Sequence, residues 1–245
     1  MVVRFAGLTA LAGASLRVAP GEIVAVIGPN GAGKTTLFNV ISGFVAPQAG
    51  GVRFRGEAIE GRAPHEIAQL GIRRTFQNNG LFEGLTVLEN VLAGLHAVTP
   101  SGFCGLLFGG RRAVAAERAA HGAALEVLAS LEIGHLADRQ VTDLSGGQQR
   151  IVEIARAIAA QPPLILLDEP AVGLSPSARG ALSATVRRLA REEGIGILLI
   201  EHAVEMVLEI SDRIVVMSGG ATIAEGTPDE VRRNPVVVEA YLGRR

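Results

Sequence analysis

Gly28-Pro29-Asn30-Gly31-Ala32-Gly33-Lys34-Thr35-Thr36 decides how this chain is read. Its spacing fits G-x-x-x-x-G-K-[ST], and the flanking residues supply the context that pattern requires. The apolar run Glu22 to Ile27 predicts a buried strand leading in, and Leu37 to Ser42 a helix leading out, with Gly43 as its C-terminal stop. Glycines let backbone N–H groups close around phosphate oxygens, and a helix start adds unpaired donors and a positive dipole end. In such a loop Lys34 reaches the β- and γ-phosphates of a nucleotide and Thr35 offers its hydroxyl to Mg²⁺. Lys34 is the sole lysine of the chain; every other member of the Lys+Arg total of 23 is arginine. A compact ammonium on a flexible stem fits inside a closed phosphate loop where a planar guanidinium does not.

Working outward, the 245 residues, 48% hydrophobic with 31 glycines, suit an α/β protein with many tight turns. A formal net charge of −1 gives no reason to expect nucleic acid as a partner. The single cysteine, Cys104, leaves no internal disulfide and fits a reducing compartment. No signal peptide is visible, because Arg4 and Arg17 interrupt any apolar start, and no apolar stretch is long enough to span a membrane. A soluble chain is expected, reaching a membrane only through a partner.

Upstream, Val2 to Phe5 and the alternating Ala14 to Val18 predict strands before the Pro20-Gly21 turn. Downstream, Val52 to Gly56 predicts a short strand, Pro64 to Leu70 a helix, and Ile72 to Phe76 a strand ending at Gln77. From Thr86 to about Ala160 the pattern is helical. Thr86 with Glu89 forms a capping box, an apolar insert occupies Pro100 to Gly110, and Ala113 to Leu131 reads as a long helix. Ser145 caps a further helix that Pro162-Pro163 stops. Leu164 to Leu167 and Ile195 to Ile200 are continuous apolar runs, as expected of central parallel strands buried on both faces. Ser177 to Glu193 is a helix between them, Gly219-Gly220 joins an edge hairpin, and Pro228 to Leu242 holds one or two short helices.

Leu164 to Leu167 runs into Asp168-Glu169-Pro170, which places two acids at the carboxyl end of a central strand, where α/β sheets hold their ligands. There Asp168 serves the Mg²⁺ shell and Glu169 positions or deprotonates the attacking water. A third glycine-rich segment, Leu144-Ser145-Gly146-Gly147-Gln148-Gln149-Arg150, opens a helix. Taken together, and in this order and spacing over nearly the whole chain, these motifs resemble the ATP-binding cassette (ABC) ATPases, whose signature is LSGGQ. The resemblance implies one domain over residues 1–245, with a P-loop NTPase (RecA-like) α/β core and a helical subdomain specific to the family. It implies ATP and Mg²⁺ as cofactors. Gln77 matches the glutamine that links Mg²⁺ and water to the helical insertion, and His202 matches the switch histidine at the γ-phosphate. Phe5 falls where an aromatic commonly stacks on adenine, although an early phenylalanine also suits a core. Residues Gly28 to Thr36 would hold one ATP. Ser145, Gly146, Gly147 and Gln148 would contact the ATP held by a second cassette paired head to tail.

Arg74-Thr75-Phe76-Gln77, the insert between His96 and Arg112, and the ending Gly226-Thr227-Pro228 through Ala240-Tyr241-Leu242-Gly243 are similar to the larger ATPase subunit of branched-chain amino-acid importers. Lipopolysaccharide-export and urea-type cassettes are neighbouring alternatives, and non-transport cassettes a more distant one. Partners implied are a second ATPase subunit, membrane permease subunits and, indirectly, an extracytoplasmic solute-binding protein. The implied location is the cytoplasmic face of the membrane. A coupling helix of the permease is expected in the groove near Phe76, Gln77 and Phe82. Two residues depart from the pattern: Ser175 stands where many cassettes carry aspartate, and Gly146 where many of this subgroup carry an aromatic. Four residues before Phe5 make a first strand shorter than the family's usual one.

Overall fold

The computed structural model describes residues 1–75, 80–96 and 111–242. The chain opens with β1 (Val2–Phe5) and β2 (Leu8–Ala12), an antiparallel pair turned at Ala6-Gly7, both at positive φ. The strand expected over Ala14–Val18 is not formed; the second strand lies at Leu8–Ala12 instead. The Ala6-Gly7 turn brings Leu8–Ala12 back along β1 and so selects the pairing. The alternation of residues 14–18 has another cause: Leu16 and Val18 pack against a hydrophobic core without a ladder partner.

β3 (Ile23–Ile27) is buried along its whole length and leads into α1 (Lys34–Ile41), which Gly43 ends at φ 78°. The strand expected over Val52–Gly56 is instead split into a small hairpin, β4 (Arg53–Phe54) and β5 (Glu57–Ala58). Arg55-Gly56 adopts positive φ at both positions, the geometry of a two-residue hairpin turn, so Arg55 and Gly56 are the reversal and not its arm. Then follow α2 (Pro64–Gln69), β6 (Ile72–Arg74), α3 (Val87–His96) and α4 (Arg111–Ser130). The apolar insert and Cys104 lie outside the described residues. Two 3₁₀ turns lead to α5 (Gly146–Ile158), β7 (Leu164–Asp168), α6 (Pro176–Arg191), β8 (Gly196–Ile200) and α7 (Val204–Ile210). A hairpin, β9 (Arg213–Ser218) and β10 (Ala221–Gly226), precedes α8 (Pro228–Arg233) and α9 (Pro235–Leu242).

Six strands form one sheet in the order β10-β9-β3-β8-β7-β6, parallel except for the edge strand β10. Helices cover both faces, so neighbouring residues of one strand enter different cores. Ile165 and Leu167 join the core beneath α5 and α6, while Leu166, between them, joins the core of Leu37, Phe38 and Ile41 from α1. That is the physical origin of the unbroken apolar runs. Val87 and Val91 of α3 pack with Leu128 of α4 and Val152 and Ile154 of α5, which makes the 86–160 stretch a helical layer attached to the same core. Thr86 and Glu89 bond reciprocally at the start of α3, as the capping box requires: the Thr86 N–H donates to Glu89 Oε2 at 2.7 Å and the Glu89 N–H to Thr86 Oγ1 at 3.2 Å. Among the described residues no helix is long and apolar enough to cross a membrane.

Candidate nucleotide site

The phosphate loop is the turn between β3 and α1, at the carboxyl ends of the parallel strands. Its glycines answer specific close approaches. A Cβ on Gly28 would lie 2.1 Å from the Met217 carbonyl oxygen, and one on Gly33, at φ 95°, 2.4 Å from that of Ala10. The loop is therefore squeezed between β9 and the β1–β2 hairpin, and backbone bonds fasten it there. The Gly220 N–H donates to the Ala32 carbonyl at 3.1 Å, and the Ala12 N–H to that of Gly220 at 2.7 Å. Gly33 caps α1 with no side chain to accept from the first-turn N–H groups. Those donors are left for an anion. Lys34, 6% exposed, is folded back so that Nζ donates to the carbonyls of Gly28 at 2.7 Å and Pro29 at 3.1 Å. Burial pushes the pKa of its ammonium down, and the Glu169 carboxylate pulls it back up in part. A polyphosphate placed on the loop would favour the charged form more strongly than one carboxylate does.

Asp168 and Ile200 are paired in register at the ends of β7 and β8, so the residues that follow, Glu169 and Glu201, leave the sheet side by side. Glu169 adopts φ 51°, a left-handed conformation that costs a non-glycine residue free energy. Its N–H donates to the Ile200 carbonyl at 2.9 Å, which holds it there. The result is that Glu169 Oε1 stands 3.0 Å from Nε2 of His202. Sequence reasoning treated these two residues separately; the fold makes them neighbours. Glu201, which it passed over, is 2% exposed, and both of its carboxylate oxygens accept backbone N–H groups.

Asp168 is 1% exposed. Its Oδ2 accepts from Arg74 Nη2 at 2.7 Å, and the same guanidinium reaches Asn39 Oδ1 at 2.7 Å and Ser42 Oγ at 3.0 Å while lying over the Phe38 ring. Arg74 thus ties the acidic strand end to the phosphate-loop helix. Oδ1 of Asp168 is buried with no hydrogen-bond partner. A buried, unpartnered carboxylate oxygen fits a hydrated cation. Among the described residues no group of three or more His, Cys, Asp or Glu could hold a metal by itself. Asp168 and the exposed Thr35 match instead a Mg²⁺ held chiefly by substrate phosphates. Gln77, assigned to the same cation, lies outside the described residues, as does Phe76.

Phe5 is 47% exposed on the β1–β2 hairpin, opposite Leu8, so the core alternative for it is set aside. Ser145 opens α5 in a full capping box with Gln148: the Gln148 N–H donates to Ser145 Oγ at 3.3 Å and the Ser145 N–H to Gln148 Oε1 at 3.0 Å. Ser145, Gly146, Gly147 and Gln148 form no hydrogen bond to the phosphate loop or to Asp168, Glu169 or His202 of their own chain. A Cβ on Gly146 would meet nothing within 4 Å, so this position has room for a larger side chain. Ser175, the other departure, caps α6, accepting from the Ala178 N–H at 3.3 Å. A cavity of about 950 Å³ lies away from these groups, lined by Val18, Phe54, Pro163 and Glu193.

Residues 11–172 match the family described as ABC transporter, and residues 221–245 that described as branched-chain amino acid ATP-binding cassette transporter. The high-affinity branched-chain amino acid transport ATP-binding protein BraF of Pseudomonas aeruginosa is 43% identical over 243 residues, covering 99% of this chain and 95% of its own. An ATP-binding cassette of an ABC transporter solved in its ADP conformation superposes with a TM-score of 0.85 at 36% identity, covering 99% of this chain and 96% of that one. Another cassette, solved as a dimer in a post-hydrolysis state with ADP and Pi, superposes with a TM-score of 0.76 at 27% identity, covering 93% and 95%. A phosphate loop, an acidic strand end and a capped signature helix on one six-stranded sheet therefore have the company their geometry calls for, and the chain belongs to the ABC transporter family as an ATP-hydrolysing, nucleotide-binding cassette.

Proposed function

We propose that this chain, as a single cassette domain, powers the import of branched-chain or related amino acids by closing and reopening a pair of cassettes attached to membrane permease subunits on the cytoplasmic face. Support for the solute class is the match of residues 221–245 and the 43% identity to BraF. The observation that carries the chemistry is the meeting of Lys34, Asp168, Glu169 and His202 at adjoining strand ends, with Glu169 and His202 3.0 Å apart.

In this reading the residues Gly28 to Thr36 wrap the ATP phosphates with backbone N–H groups, and Lys34 leaves its two carbonyl partners for the β- and γ-oxygens. Thr35, Asp168 and Gln77 hold Mg²⁺, which when bound neutralises charge on the β- and γ-phosphates. Glu169 takes the proton of the attacking water, and His202 orients the γ-phosphate and Glu169 together. Phe5 stacks on the adenine. Ser145, Gly146, Gly147 and Gln148 act on the ATP of the facing cassette, which shifts the pair between open and closed states.

The test is a pull-down of tagged Glu169→Gln protein from detergent-solubilised native membranes with ATP and Mg²⁺. Two multi-span proteins and a second cassette, with a solute-binding partner that takes branched-chain amino acids, are expected. Lipid-export or urea-import components would replace the solute class. Ribosomal or DNA-repair proteins without a membrane partner would overturn transport while leaving the ATPase.

A further inference from the structure

Glu201 lies one residue before His202 and has no part in the chemistry described above. Its carboxylate is almost wholly buried and is shared between two loops. Oε1 accepts from the Ala171 N–H at 2.6 Å. Oε2 accepts from the N–H groups of His202 at 2.8 Å and Ala203 at 3.1 Å. Three donors converging on one buried carboxylate are strong, charge-assisted bonds, and they join segments about thirty residues apart in sequence. On one side is His202 with its contact to Glu169. On the other is Ala171 to Ser175, which carries the exposed Val172 and ends on the Ser175 cap of α6. Glu169 lies two residues before Ala171, its own backbone at φ 51° and held by the Ile200 carbonyl.

We infer that Glu201 is a positioning residue that couples His202 to the Ala171–Ser175 segment, so that the two move as one body when the facing cassette presses on that segment. It sets where His202 meets Glu169 by gripping the backbone, and it touches neither nucleotide nor water. The inference rests on the cassette reading, since it needs a facing surface to act on Val172. Carboxylate chemistry is essential to it. A glutamine of the same shape turns one oxygen into an NH₂ group, which then faces the N–H of Ala171 or those of His202 and Ala203, donor against donor.

The experiment compares wild type, Glu201→Gln, His202→Ala and the double variant by steady-state turnover, equilibrium ATP affinity and amide exchange. Glu201→Gln is expected to lower kcat about tenfold with ATP affinity within about twofold, and to lose amide protection at residues 171–175 and 202–204 together. In the His202→Ala background the same change is expected to cost less than about twofold, because the residue it positions is gone. Glu201→Asp, which keeps the charge but cannot span both loops, is expected to behave like Glu201→Gln and covers the case in which that variant fails to fold. An unchanged kcat, or an equal loss in both backgrounds, overturns the coupling. If wild type itself has no turnover, the ATPase reading fails on its own, and amide exchange still decides the coupling: protection kept in both loops overturns it, joint loss sustains it.

Discussion

The phosphate-loop end and the signature end of this molecule are built on opposite principles. At the first, charge is buried and paired within one chain: Lys34 on two carbonyls, Asp168 on Arg74, Glu201 on three N–H groups. At the second, Ser145 and Gly146 are exposed and Gly147 and Gln148 half-buried, with Ser145 and Gln148 satisfied by their own capping box. Buried charge must be held by partners or it costs several kcal/mol, so the first end is preorganised before any nucleotide arrives. Exposed glycine and serine at a helix start cost little and do little alone. The difference supports the proposal that the second end works with a facing molecule, while the first holds its charged groups within one chain.

The sharpest way to break that contrast is at Glu169. Glu169→Gln is expected to slow hydrolysis by at least roughly a hundredfold, the scale of losing a general base, while ATP affinity stays near wild type and the ATP-closed pair persists. A phosphate-release assay beside an equilibrium binding measurement checks it; unchanged turnover would remove Glu169 from its role. Next comes Lys34→Ala. Two charge-assisted bonds to phosphate, each worth about 1.5–3 kcal/mol, are lost, so ATP affinity is expected to fall on the order of a hundredfold or more. Retained affinity would mean that the first end is not a phosphate site.

The contrast also explains what could be seen in the residues alone. β3, α1 and β7 were legible because their patterns are local: a five-residue apolar run, a glycine-lysine spacing, four apolar residues before two acids. The capping box at Thr86 and the helix cap at Ser145 were legible for the same reason. The alternation of residues 14–18 arises from burial against a core shared by several elements, whereas strand pairing is set by the turn at Ala6-Gly7. Arg74 and Glu201 carried no local signal of their partners. Arg74 stands out only as part of the Arg74-Thr75-Phe76-Gln77 segment, with nothing to point to Asp168, which it bonds 94 positions away. Glu201 grips Ala171 30 positions back. Contacts of that range exist only once parallel strands lie side by side.

Phe5 tests the first end more gently. Replacing an exposed ring by alanine removes a stacking platform worth about 1–3 kcal/mol per base, so Phe5→Ala is expected to weaken ATP binding by roughly tenfold and to leave binding of inorganic triphosphate unchanged. Equal loss for both ligands would assign Phe5 to holding the hairpin instead of the base.

Ser145 tests the second end, and its effect within one chain is the smallest. Ser145→Ala deletes the acceptor that caps α5, a loss of about 1 kcal/mol in stability, and is expected to leave the ATP affinity of the isolated chain unchanged. Since the cap and any contact with a facing nucleotide use the same hydroxyl, a second substitution separates them. Ser145→Asn keeps a good capping oxygen but moves the hydrogen-bonding group away from where the hydroxyl stood. If the cap is all that Ser145 provides, Ser145→Asn restores both thermal stability and ATP-driven pairing of Glu169→Gln protein. If the hydroxyl meets the neighbour's nucleotide, stability returns and pairing does not. The second outcome is expected on the proposed pairing of two cassettes, since these residues form no hydrogen bond to their own phosphate loop or acids.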